Sequence, residues 1–198
     1  MKKSFLSMLM LIQSAVAEPL GGVMEPVESP AKEIAGLEFS VVTQVLWSTS
    51  SPWVEQDVVL QLRIVNRGKE TLLFPTFDSF KVTLTGADGK PLPLGGNRDG
   101  TTVTPNLLLR PGQGISYPLI AKLKSEPKEG GSVSLRFDDQ TGSGSMTPLK
   151  PGDYSISISV FPSHYDFTRS AKLPALLWKG DGSTEPVSFK LTKPPAPK

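Results

Sequence analysis

Between Tyr154 and Val160 the side chains alternate without a break: Tyr154, Ile156, Ile158 and Val160 are apolar, and Ser155, Ser157 and Ser159 carry hydroxyls. A two-residue period places the apolar groups on one face of an extended chain and the hydroxyls on the other, which a helix cannot do. The same period recurs. Val58, Leu60, Leu62 and Ile64 alternate with Val59, Gln61, Arg63 and Val65; Val82 and Leu84 with Lys81, Thr83 and Thr85; Val133, Leu135 and Phe137 with Ser134 and Arg136. Turn signals separate these runs at Asn66-Arg67-Gly68, Asp88-Gly89, Arg110-Pro111-Gly112 and Lys150-Pro151-Gly152. With 18 Gly and 19 Pro, few helices could persist. Short strands with one buried face, joined by such turns, predict an all-β antiparallel sandwich.

The ends read differently. Met1-Lys2-Lys3, a mostly apolar stretch from Phe5 to Ile12 and Ala15-Val16-Ala17 are the three parts of a secretory signal, predicted over residues 1–17. The apolar stretch falls short of the roughly 20 residues of a membrane span. The expected mature chain therefore has no span and is periplasmic or secreted. Residues 18–36, rich in Pro, Glu and Gly, read as a flexible spacer, and residues 193–198 as a disordered Pro-rich tail. A single domain is expected over 37–192. Removing Lys2 and Lys3 from 21 basic residues leaves 19, which equals the 19 acidic ones. A neutral domain without a basic stripe is a poor partner for nucleic acid or for an anionic membrane surface.

Composition also bounds the chemistry. There is no cysteine, so thiol catalysis, thiolate zinc sites and stabilising disulfides are excluded, and the fold must rest on its hydrophobic core. His164 is the single histidine, which rules out a multi-histidine metal site within one chain. No G-x-S-x-G elbow accompanies it. The run Asp138 to Gly144 lacks calcium-loop spacing, and Gly95 to Gly100 fits no phosphate-binding glycine pattern; both are expected to be loops. No enzyme, metal or cofactor is expected.

Two aromatic segments are candidates for recognition. Trp47 and Trp53 flank a hydroxyl-rich stretch, and indoles can stack on sugar faces, although a place in the core is the favoured reading for both rings. His164, Tyr165 and Phe167 follow the Phe161-Pro162 strand end and could form an interaction loop. Trp178 is expected in the core. The expected partner is a protein or polysaccharide of the cell envelope or exterior.

Leu149-Lys150-Pro151-Gly152-Asp153-Tyr154 has the form L-x-P-G-x-Y ahead of the clearest strand. In immunoglobulin-like sandwiches a tyrosine placed there bonds its hydroxyl to the upstream backbone, giving Tyr154, Pro151 and Gly152 structural roles. Residues 60–80, 81–90, 107–117 and 149–160, in that order, resemble secreted bacterial immunoglobulin-like domains and, distantly, the BsuPI-type proteinase inhibitor domain. The resemblance implies an immunoglobulin-like β-sandwich and either a binding role or inhibition through a protruding loop.

Overall fold

A computed structural model describes residues 25–48, 55–98, 106–126, 132–138, 142–163 and 175–192. Among these residues there is no helix, and the chain is all-β, as the alternation predicts. The predicted signal, the tail and Trp53, His164, Tyr165 and Phe167 lie outside the described residues.

The first sheet is built on β3 (Leu37–Gln44) and β6 (Leu60–Asn66), with β11 (Gly114–Pro118) at its far side. β1 (Pro26–Glu28) and β2 (Lys32–Ile34) lie end to end along the other side of β3. Between them Ser29 keeps the ladder intact: its N–H donates to Val41 O at 2.9 Å and its Oγ accepts from Val41 N at 3.0 Å. Sheet pairing thus begins at Pro26, ahead of the expected domain boundary at residue 37 and inside the segment 18–36 expected to be a spacer. The polar composition hid this, because each strand is short and sends a single apolar residue to the core, Ile34 buried in it and Val27 half-buried against it.

The second sheet centres on β15 (Gly152–Val160), paired over seven residues with β8 (Phe80–Gly86). On its other side run β18 (Val187–Leu191) and β17 (Gly182–Ser183). Thr184 fills the gap between those two strands, giving its N–H to Ile158 O and accepting Ile158 N–H on its hydroxyl. Beyond β18 lies β4 (Leu46–Trp47), paired in parallel. The chain therefore leaves the first sheet after Gln44, turns at Val45 and joins the second. β7 (Leu72–Phe74), β10 (Leu107–Leu109) and β16 (Leu176–Leu177) form a small third sheet.

β5 (Glu55–Val58), β12 (Ile120–Glu126), β13 (Ser132–Asp138), β14 (Gly142–Leu149) and β9 (Gly95–Arg98) form the fourth. It continues the first sheet, because the β5–β12 and β6–β11 pairs share one register, from Ala121↔Val58 to Gly114↔Val65. At the junction Leu119 N–H reaches Leu60 O at 2.9 Å. Val59 leaves the ladder there, yet both its backbone groups are met by β3: Gln44 Oε1 accepts its N–H at 2.9 Å and Thr43 Oγ1 donates to its carbonyl at 2.7 Å. Gly95–Arg98 and the segment from Gly142, expected to be loops, are strands in this sheet. Glycine there accommodates a neighbour: a Cβ on Gly144 would strike Leu94 Cδ1 at 2.8 Å.

Alternate residues of the sheets close on one core. Leu60, Leu62, Ile64, Leu84, Ile156, Ile158 and Val160 all belong to it, as do Leu123, Leu135 and Leu149 of the fourth sheet. Full burial of each such side chain contributes about 1.5–3 kcal/mol. Phe39, Phe74 and Trp178 form a tilted aromatic triangle with centroid separations of 5.8, 5.4 and 5.2 Å. The Trp178 indole N–H donates to Ile34 O at 3.1 Å, fastening β2 to the core.

Candidate functional site

Trp47, the one aromatic recognition candidate among the described residues, serves the fold. Trp47 is buried, with 1 % of its surface exposed, because β4 turns it inward between the sheets. Its indole N–H donates to Thr43 Oγ1 at 3.1 Å, and its ring stacks on Phe189 with centroids 3.8 Å apart. One face of the ring is thus covered and the nitrogen is bonded, so Trp47 offers no platform to a sugar. That corrects the reading of Trp47 as a ligand-binding residue and matches the favoured placement in the core.

Phe189 carries the stack on to Tyr154, 5.7 Å away and nearly parallel. The Tyr154 hydroxyl donates to Lys150 O at 2.6 Å and accepts from Lys150 N at 3.2 Å. This is the hydroxyl-to-backbone bond expected from the L-x-P-G-x-Y pattern, with Pro151 and Gly152 making the turn. Burial pushes the Tyr154 phenol above its usual value, opposed by the bond to Lys150. A half-buried neutral phenol that holds a turn is a structural group.

Other buried polar groups are bonded to backbone in the same way. Asn66, with no exposed surface, donates from Nδ2 to Glu70 O (2.7 Å) and Leu109 O (2.8 Å), and its Oδ1 accepts from Gly68 N (2.9 Å). Sequence reasoning recognised the Asn-Arg-Gly turn but missed this junction. A buried asparagine with three backbone partners depends on Leu109, which is remote in sequence.

Among the described residues, what remains for recognition is the outside of the sheets. On the second sheet, Thr83, Thr85, Ser155, Ser157 and Ser159 project away from the core, framed by Lys81, Asp153 and Lys190. Ser159 and Ser183 hydroxyls meet across strands at 2.9 Å. On the first sheet the outward residues include Gln61, Arg63, Val65 and Arg67, beside the small residues Gly114 and Ser116. Arg63 binds both carboxylate oxygens of Glu28 (3.1 and 3.0 Å), and Arg67 Nε bonds Glu38 at 2.7 Å. These arginines are exposed and already neutralised.

The strand edges differ more than the faces. The open side of β8 is covered by Pro91 to Leu94: Leu92 N–H donates to Leu84 O at 2.8 Å, and Pro91 bridges Thr85. The edge at β5 carries Glu55 and Asp57. By contrast, among the described residues β11 pairs with β6 alone, holds no charged residue, and exposes Gly114, Ile115, Ser116 and Pro118. Uncharged open edges are rare because they invite another strand. No family model, curated protein or solved structure matches this chain.

Proposed function

We propose that this chain is a non-enzymatic binding or structural module with an immunoglobulin-like fold, acting in the periplasm or outside the cell on a protein or polysaccharide of the envelope. The observation that carries the reading is the use made of the buried polar side chains. Asn66, Thr43, Thr184, Ser29, Trp47 and Trp178 each tie one strand or turn to another, which makes a rigid support for an external surface. The immunoglobulin-like assignment is supported by β3 running on into β4, which crosses sheets to lie parallel to the final strand β18, and by the Tyr154–Lys150 bond at the start of β15. Export is supported by the basic, apolar and A-x-A segments of residues 1–17.

Cell fractionation with N-terminal sequencing, followed by a hydrolase substrate panel on the recovered protein, tests this reading. It expects a chain starting at Glu18, found outside the cytoplasm and inert on every substrate. Retention in the cytoplasm with Met1 intact, or turnover that His164→Ala abolishes, refutes it.

A further inference from the structure

Among the described residues, the β11 edge has a defined set of backbone groups with no partner. Asn66 N–H donates to Gln113 O and Leu119 N–H donates to Leu60 O, both at 2.9 Å and both in register with the β6–β11 pairs. In an antiparallel ladder the bonded pairs recur every second residue. The backbones of Ile115 and Tyr117 therefore face β6, and those of Gly114 and Ser116 point their N–H and C=O groups off the sheet. Pro118, which has no N–H, ends the usable edge.

We infer that this edge pairs with the same edge of a second copy of the chain, antiparallel about a two-fold axis at Ile115. In that register Gly114 of each copy faces Ser116 of the other. Both residues exchange N–H and C=O bonds, so all four outward groups of each chain are met. Ile115, 37 % exposed, then lies opposite its own counterpart in a non-bonded pair, where Cα atoms approach to about 4.5 Å and side chains pack closely. No charge opposes the approach, since the nearby Arg63 and Arg67 are paired with Glu28 and Glu38. The β5 and β8 edges lack this self-complementarity. On β5 the same operation about Gln56 sets Glu55 against Asp57, and the β8 edge is already covered. Joining two β11 strands makes one sheet running β3-β6-β11 in each copy. The contact is small, so the association is weak, with a dissociation constant of about 10 µM to 1 mM.

The chain's lack of cysteine makes the test direct. A Cα separation of about 4.5 Å lies within the range that a disulfide spans. Under mild oxidation of the protein as the cell matures it, Ile115→Cys is expected to form a covalent dimer at least ~10-fold faster than Ile120→Cys, whose site is more exposed but lies off the edge. Sedimentation of the cysteine-free protein should show reversible dimerisation. Ser116→Pro, which removes an outward N–H without touching the β6 ladder, should abolish it while leaving the circular dichroism spectrum unchanged. Equal cross-linking at 115 and 120, or a monomer mass at about 1 mM, overturns the inference. Neither result bears on export or on catalytic inertness, so the proposed function stands or falls separately.

Discussion

Asn66→Asp swaps one amide nitrogen for oxygen and changes almost nothing in shape, which makes it a sharp probe of the junction beneath β6. The native amide donates to Leu109 O at 2.8 Å in a buried position and to Glu70 O at 2.7 Å in a partly buried one. A carboxylate can donate to neither. Loss of the Glu70 bond, whose carbonyl can turn to water, costs about 1 kcal/mol, and stripping the buried Leu109 carbonyl costs about 2–3 kcal/mol. The expected loss is about 3–4 kcal/mol, a large part of the roughly 5–15 kcal/mol that a domain possesses. Guanidinium unfolding should show it as a lower midpoint with the slope unchanged, and a thermal melt as a fall of about 10 °C. The loss should also depend on pH. Burial among carbonyl oxygens raises the folded-state pKa of the new Asp above its unfolded value of about 3.9. The protonated acid can donate one bond. The deficit relative to the native protein is therefore smallest below about pH 4 and grows as pH rises through the folded-state value. A deficit under about 1 kcal/mol, or one that does not change with pH, refutes the assignment of Asn66 as donor to both carbonyls.

Tyr154→Phe should lower stability by about 1 kcal/mol in the same unfolding assay, because Lys150 is exposed and water replaces the lost hydroxyl. In an ultraviolet titration, Tyr154 should ionise above the usual tyrosine range, and Tyr154→Phe should remove that late step. Because the folded-state value is raised, the stabilisation it provides is complete below about pH 10 and disappears as pH rises through the folded-state value. Gly180→Ala places a Cβ 2.7 Å from Trp178 Cε2 and 2.9 Å from Ala35 Cβ, so a loss of about 2–3 kcal/mol is expected by thermal melt. Ala35, at φ 49°, and Gly36, at φ 83°, form the two-residue turn of the β2–β3 hairpin, so Ala35→Asn should raise stability by about 0.5–1 kcal/mol.

The class of fold was legible because burial follows the period of the side chains. Val58, Leu60, Leu62 and Ile64 face the core as their alternation requires, and so do Ile156, Ile158 and Val160. The Tyr154 turn was legible because both bonding residues lie within one motif. Pairing between distant segments was not. Gly95–Arg98 reads as a loop because its own residues have little strand preference; its place in a sheet depends on β14. Short strands at Pro26–Glu28 and Lys32–Ile34 are likewise ordered by β3 rather than by their own pattern. As for the site, Trp47 shows that an indole beside hydroxyls reads the same in sequence whether it faces water or the core. The bareness of the β11 edge could be found only once its neighbours were known, since no residue in Gly114–Pro118 is unusual by itself.

Hydrogen exchange resolved by residue, at a concentration well below dimer formation, examines the rigid framework and its open edge together. The account predicts slow exchange through β6 and β15, slow exchange at Ile115 and Tyr117, and fast exchange at Gly114 and Ser116, with the last two amides becoming protected as concentration rises. Protection of Gly114 and Ser116 equal to that of their neighbours in dilute solution, or rapid exchange along β15, contradicts it.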